Sequence, residues 1–123
     1  MKESVLRDKS YAFAIRIVKL SQYLQDKKEF ILNKQVLRSG TAVGALLREA
    51  EYAQSDADFI SKLSISLKEA NETRYWLSLL KDASYIDGKL YKSLLSDCEE
   101  IINMLISSIN TMKKKQKKLK TKS

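Results

Sequence analysis

The chain has 123 residues, 44% of them hydrophobic, with 23 Lys+Arg against 15 Asp+Glu and a formal net charge of +8. That length suits one domain with a real core. The lack of histidine removes the commonest general base and metal ligand, and no apolar run is long enough to cross a membrane.

Read in order, the apolar residues mark four helices. The first seam is Leu6, Ser10, Phe13, Ile17, Leu20 and Leu24, stepping by four and three. Its start falls between Ser4 and Ser10, either of which is a suitable cap. The N-terminal MKESVLRDKS is mixed in charge and lacks the apolar segment of a secretory signal. Residues 26–32 break the pattern, and Asn33 is the expected N-cap of a second helix with seam Val36, Gly40, Val43, Leu47 and Ala50. Gly40 and Gly44 lie one turn apart, a smooth strip where another helix can approach closely.

Ser55 and Asp58 have capping-box spacing at the head of a third helix, and Asp56 and Asp58 suit the positive end of its dipole. Its seam reads Ile60, Leu63, Leu67, Ala70, Arg74 and Leu77. A charge in a seam must be paired or reach solvent, so Arg74 is expected to meet a carboxylate, with Glu49, Glu69 and Glu72 of its own or an adjacent chain as candidates. Arg38, Glu49, Glu69, Glu72 and Arg74 are thus read as structural charges. A break at Ser84–Gly88, with Asp87 as cap, precedes a fourth seam of Tyr91, Leu94, Cys98, Ile101 and Leu105, extending through Ile109 and Met112.

Four such segments with short connections predict an all-α, up-down-up-down antiparallel four-helix bundle over residues 1–112. Residues 113–123 form a lysine-rich tail: Lys113, Lys114, Lys115, Lys117, Lys118, Lys120 and Lys122, without an acid among them. With those seven lysines set aside, sixteen basic residues face fifteen acidic ones, so a nearly neutral body carries a polycation. The fourth helix is expected to run some way into this tail before fraying, because cations suit a helix C-terminus.

Catalysis finds little footing. Glu69-x-x-Glu72 only faintly echoes a carboxylate metal site and no histidine exists to complete it. Cys98, the sole cysteine, falls on a core seam and reads as a buried structural thiol in a reducing, cytoplasmic setting. Neither a metal nor a cofactor is expected. Apolar residues beyond the seams, namely Leu95, Ile102, Ile106, Trp76 and Ile65, suggest a subunit interface.

The segment Gln35–Ala50, QVLRSGTAVGALLREA, resembles the signature of a bacterial four-helix-bundle family encoded in intervening sequences of 23S ribosomal RNA genes. Ser10–Leu20, Ser55–Leu63 and Leu67–Leu77 resemble its first helix, second junction and third helix. The resemblance implies a ring-forming homo-oligomer, most often a pentamer, with no settled activity. A related branch resembles the basic, pentameric accessory protein of diversity-generating retroelements, which binds nucleic acid and works with a reverse transcriptase. The family's recurrent charges fall on Arg38, Glu49, Glu69 and Glu72. Leu46 stands where many members have Asn, which removes any polar contact made there.

Two function classes follow. One is a non-enzymatic oligomer that binds RNA or DNA non-specifically through the tail lysines. The other is a protein-interaction scaffold docking on a nucleic-acid enzyme such as a reverse transcriptase. An anionic membrane surface is a weaker partner for the tail, since no apolar anchor adjoins the lysines.

Overall fold

A computed structural model describes the backbone of residues 2–122 and the side chains of residues 4–121. It contains four helices: α1 (Lys2–Asp26), α2 (Ile31–Ala50), α3 (Asp56–Asp82) and α4 (Gly88–Lys122). Each helix packs against its neighbours in sequence, and α4 closes on α1, while among the described residues the backbones of the diagonal pairs stay farther apart. The result is the antiparallel four-helix bundle that the seams and short connections predict.

The first, second and fourth seams are buried almost as read. Leu6, Ser10, Phe13, Ile17, Leu20 and Leu24 line α1, and Leu94, Cys98, Ile101, Leu105 and Ile109 line α4. Ile102 joins the core, Leu95 is half-buried, and Ile106 and Ile65 are exposed.

The third seam is rotated relative to the expectation. Its buried positions are Leu63, Ser66, Ala70, Thr73, Leu77 and Leu80, while Ile60, Leu67 and Arg74 flank the core half-buried. Hydrogen bonds make this possible. Ser66 Oγ donates to the Val43 carbonyl at 2.9 Å, and the Thr73 hydroxyl lies 2.8 Å from both the Glu69 carbonyl and Ser39 Oγ. A satisfied hydroxyl is tolerated in a core where an orphan is not, and among the described residues no buried side-chain polar atom lacks a partner.

The helix ends also differ in part. α1 is already helical at Lys2, before either expected cap. α2 begins at Ile31, so the first connection is shorter than residues 26–32 and Asn33 lies inside the helix. Glu29 takes over the capping: its carboxylate accepts the Asn33 backbone N–H at 2.9 Å. The Asn33 side chain turns instead to α1, where its Oδ1 accepts from Ser21 Oγ and its Nδ2 donates to the Ser21 carbonyl. Ser55 and Asp87 cap as read, accepting from Asp58 N at 3.0 Å and Leu90 N at 2.8 Å.

Cys98 is fully buried, and its Sγ donates to the Ala70 carbonyl at 3.3 Å. Burial pushes the thiol up to about 12, so almost no thiolate exists at neutral pH. Because the thiolate is the nucleophile, Cys98 should ignore a thiol reagent in the native protein. It should react only at the rate of unfolding, as read by a time course with and without denaturant.

Candidate nucleic-acid interface

Cationic character concentrates where α4 outruns its partners. At 1.5 Å per residue, the 35 residues of α4 span about 50 Å, against about 38 Å for the 25 of α1. The last fully buried position of α4 is Ile109. Beyond it the helix continues through the lysines to Lys122, so the tail is an extension of α4 rather than a loose arm. A nucleated helix propagates at little cost, lysine is a good helix former, and cations suit this end of the dipole.

Lysine does not surround this segment evenly. Stepping from Leu105 through Ile109 to Met112, Gln116 and Leu119 extends the α4 seam as an uncharged stripe, and the lysines fill the remaining faces. Lys113, Lys114, Lys115, Lys117, Lys118 and Lys120 are exposed. The side chain of Lys122 lies outside the described residues. Among the described residues, Lys113, Lys114, Lys115, Lys117 and Lys118 meet no carboxylate. Ten residues from Lys113 to Lys122 rise about 15 Å, so the rod carries a cation roughly every 2 Å. Duplex DNA carries a negative charge about every 1.7 Å.

At the root of the rod, three helix ends and the α2–α3 connection enclose a cleft of about 580 Å³. Leu6, Leu47 and Leu63 lie at its base, with Phe59 and Met112 half-buried beside them. Its rim is polar. Arg7 Nη1 donates to Glu51 Oε1 at 2.7 Å there, and Ser4, Gln54, Ser55, Asp56 and Ser108 belong to the lining. Nothing in the sequence marks this cleft, because its lining comes from all four helices.

The other charged candidates lie away from the rod and staple helices together. Arg38 on α2 reaches across to α3, where its Nη1 donates to Glu69 Oε2 at 2.7 Å and its Nη2 to Glu72. Partial desolvation works against the guanidinium's charge, but the hydrogen bonds to Glu69 and Glu72 outweigh it and raise its pKa. Glu49 pairs with Lys62 at 3.8 Å, also across α2 and α3. Arg74 meets a carboxylate as expected, but within its own chain the partner is not Glu49, Glu69 or Glu72. The rotation of α3 turns it toward α4, where Nη1 lies 3.8 Å from Glu99 and Nη2 donates to Asn71 on its own helix. Its side chain is 44% exposed, so it reaches solvent rather than filling the seam. Two further pairs on the opposite seam, Lys9–Glu100 and Arg16–Asp97, join α1 to α4.

Trp76 Nε1 donates to Glu72 Oε2 at 3.0 Å. This bond, opposed by partial burial and helped by Arg38, holds the Glu72 carboxyl below its ordinary value of 4.5. A carboxyl whose pKa is lowered by folding stabilises the fold above its unfolded pKa, and that contribution is lost as pH falls through the folded value. Fluorescence of the single tryptophan should therefore titrate below pH 4.5. Glu72→Gln should abolish that titration and lower the melting temperature measured at pH 7.

The sequence profile of the 23S rRNA-intervening sequence protein matches residues 2–107. The chain belongs to this family. A solved structure from Bacteroides thetaiotaomicron, described as a protein of unknown function from the S23 ribosomal protein family, is 56% identical. It superposes with a TM-score of 0.88 over 89% of this chain and 99% of its own. No protein with curated function matches. The family match ends at residue 107, short of Lys113. No described helix is long and apolar enough to cross a membrane.

Proposed function

We propose that this family member is a non-catalytic, oligomeric nucleic-acid-binding protein, which grips RNA or DNA through phosphates along the end of α4. The observation that carries the reading is the exposed, unpaired row Lys113, Lys114, Lys115, Lys117 and Lys118 on one continuous helix. Its charge density along the axis approaches that of a duplex, and contacts to phosphates carry no sequence information, so its attraction is independent of sequence. Assembly into a ring, a homopentamer by resemblance, would bring several rods together and raise avidity without new contacts. The exposed stripe Tyr11, Ile15 and Val18 on α1 supports a subunit contact. The buried lone thiol suits a reducing cytoplasm.

The test is a fluorescence-anisotropy titration of the intact protein with labelled RNA and DNA at 50 and 200 mM salt. Neutralising about 5 phosphates gives a slope of log K against log salt of about −4 to −5 on duplex, and a shallower one on single strands. Binding that ignores salt would overturn the reading.

A second reading, a scaffold docking on a nucleic-acid enzyme such as a reverse transcriptase, draws on the opposite end of the bundle. There Phe30 and Ile31 are 61% and 77% exposed at the start of α2. Adjacent apolar side chains this exposed are typical of a protein contact. Capture of a polymerase by the intact protein and its loss in Phe30→Ser/Ile31→Ser would favour this reading.

A further inference from the structure

We propose that the cleft at the root of the lysine rod receives one unpaired base, so that the protein prefers single-stranded nucleic acid to duplex. This rests on the nucleic-acid reading above and assigns it a second, chemically different contact. At about 580 Å³ the cleft lies within the roughly 300–1,000 Å³ typical of small-molecule sites, which is ample for a base and part of its sugar. It is also continuous with the rod. Met112 lines it, and Lys113 follows in the next position of the same helix. A strand whose phosphates track the lysines passes the mouth of the cleft.

The lining selects the neutral part of a nucleotide. A phosphate would face Glu51 and Asp56, and Arg7, the one guanidinium present, is already committed to Glu51 at 2.7 Å. A purely aliphatic ligand would cover the polar rim of Ser4, Gln54 and Asp56 without offering it a partner. A flat heteroaromatic ring satisfies both constraints. Its faces bury against Phe59 and Met112, and its edge nitrogens and carbonyls meet the polar rim. Asp56 can accept from an exocyclic amine. A base in a duplex is stacked and paired, so it cannot enter without the cost of unstacking. The rod itself offers no aromatic side chain for stacking, and the Phe59 ring in the cleft fills that role.

The experiment compares three labelled ligands of equal length on the intact protein at fixed salt: a mixed-sequence single strand, an abasic single strand with the same phosphates, and a duplex. The normal strand should bind about tenfold tighter than the abasic strand, the effect expected of one sheltered base. Ala53→Trp, which narrows the mouth, should remove that difference and leave the salt slope unchanged. Phe59→Leu, which keeps the volume and removes the aromatic face, should reduce the difference and guards against misfolding of the larger substitution. Equal binding of normal and abasic strands overturns the pocket while the rod reading stands, provided binding still depends on salt. Discrimination that survives both Ala53→Trp and Phe59→Leu also overturns it. Failure of the intact protein to bind any of the three overturns pocket and rod together.

Discussion

Deleting residues 113–123 should weaken nucleic-acid binding by about 10²–10³-fold at 50 mM salt and leave the bundle folded. The size follows from counterion release: about 5 neutralised phosphates correspond to a slope near −4.5, which between 50 and 200 mM salt is itself a loss of about 500-fold. The deletion should flatten that slope almost completely, because the remaining body is close to neutral. Stability should hardly change, since among the described residues beyond Ile109 α4 has no fully buried side chain and the deletion spares Met112. Replacing all seven lysines with glutamine separates charge from length: helix propensity is similar, so a comparable loss assigns the effect to charge. Anisotropy at two salt concentrations and a thermal melt for each variant check this. Undiminished affinity in both variants would move the site onto the bundle.

The rod was legible as charge before it was legible as structure. A run of lysines announces a polyanion partner from composition alone, but whether it is coil or helix depends on what precedes it. Here a 25-residue stretch of α4 nucleates the helix, and the uncharged stripe at Met112, Gln116 and Leu119 continues its register. The bundle was legible for a related reason: three of the four seams are nearly all apolar, and spacing then reports the buried face directly. The third seam misled where the core admits hydroxyls. Ser66 and Thr73 look like surface residues until Val43 and Ser39 are known to face them, and assigning them outward rotates Arg74 inward. The same rotation explains why its partner is Glu99 on α4 and not a carboxylate of α2 or α3. Asn33 failed as a cap because α2 starts two residues earlier, at Ile31, which puts Asn33 inside the helix with its own N–H held by Glu29 and its side chain by Ser21. The cleft had no one-dimensional signal at all. Its walls come together only when the start of α1, the α2–α3 connection and α4 meet at one end.

Where the α2 glycines sit makes a second large effect expected, this one on stability. A Cβ added at Gly40 would lie 2.8 and 2.9 Å from the two γ carbons of Ile17, which is fully buried against α2. Those atoms belong to a β-branched side chain locked in the core, so they cannot swing aside. At Gly44 the nearest atoms, the Ser10 carbonyl and hydroxyl oxygens, are 3.4 Å away. The two glycines therefore part company on substitution. Gly44→Ala should be neutral or slightly stabilising, because a helical glycine costs about 0.5–1 kcal/mol relative to alanine and the added methyl nearly fits. Gly40→Val should overpack the α1–α2 contact and cost about 3 kcal/mol, the upper end of the usual range for inserted carbons. In a domain of this size that lowers the melting temperature by on the order of 10 °C. Ile17→Ala alone leaves a cavity and costs about 2–5 kcal/mol. Combined with Gly40→Val, it should lose less than the sum, because the valine occupies the vacated space. Chemical denaturation of the two single variants and the double variant measures this coupling. If the double variant is as unstable as the sum of its parts, the close approach of α1 and α2 at Gly40 is not what the glycine serves.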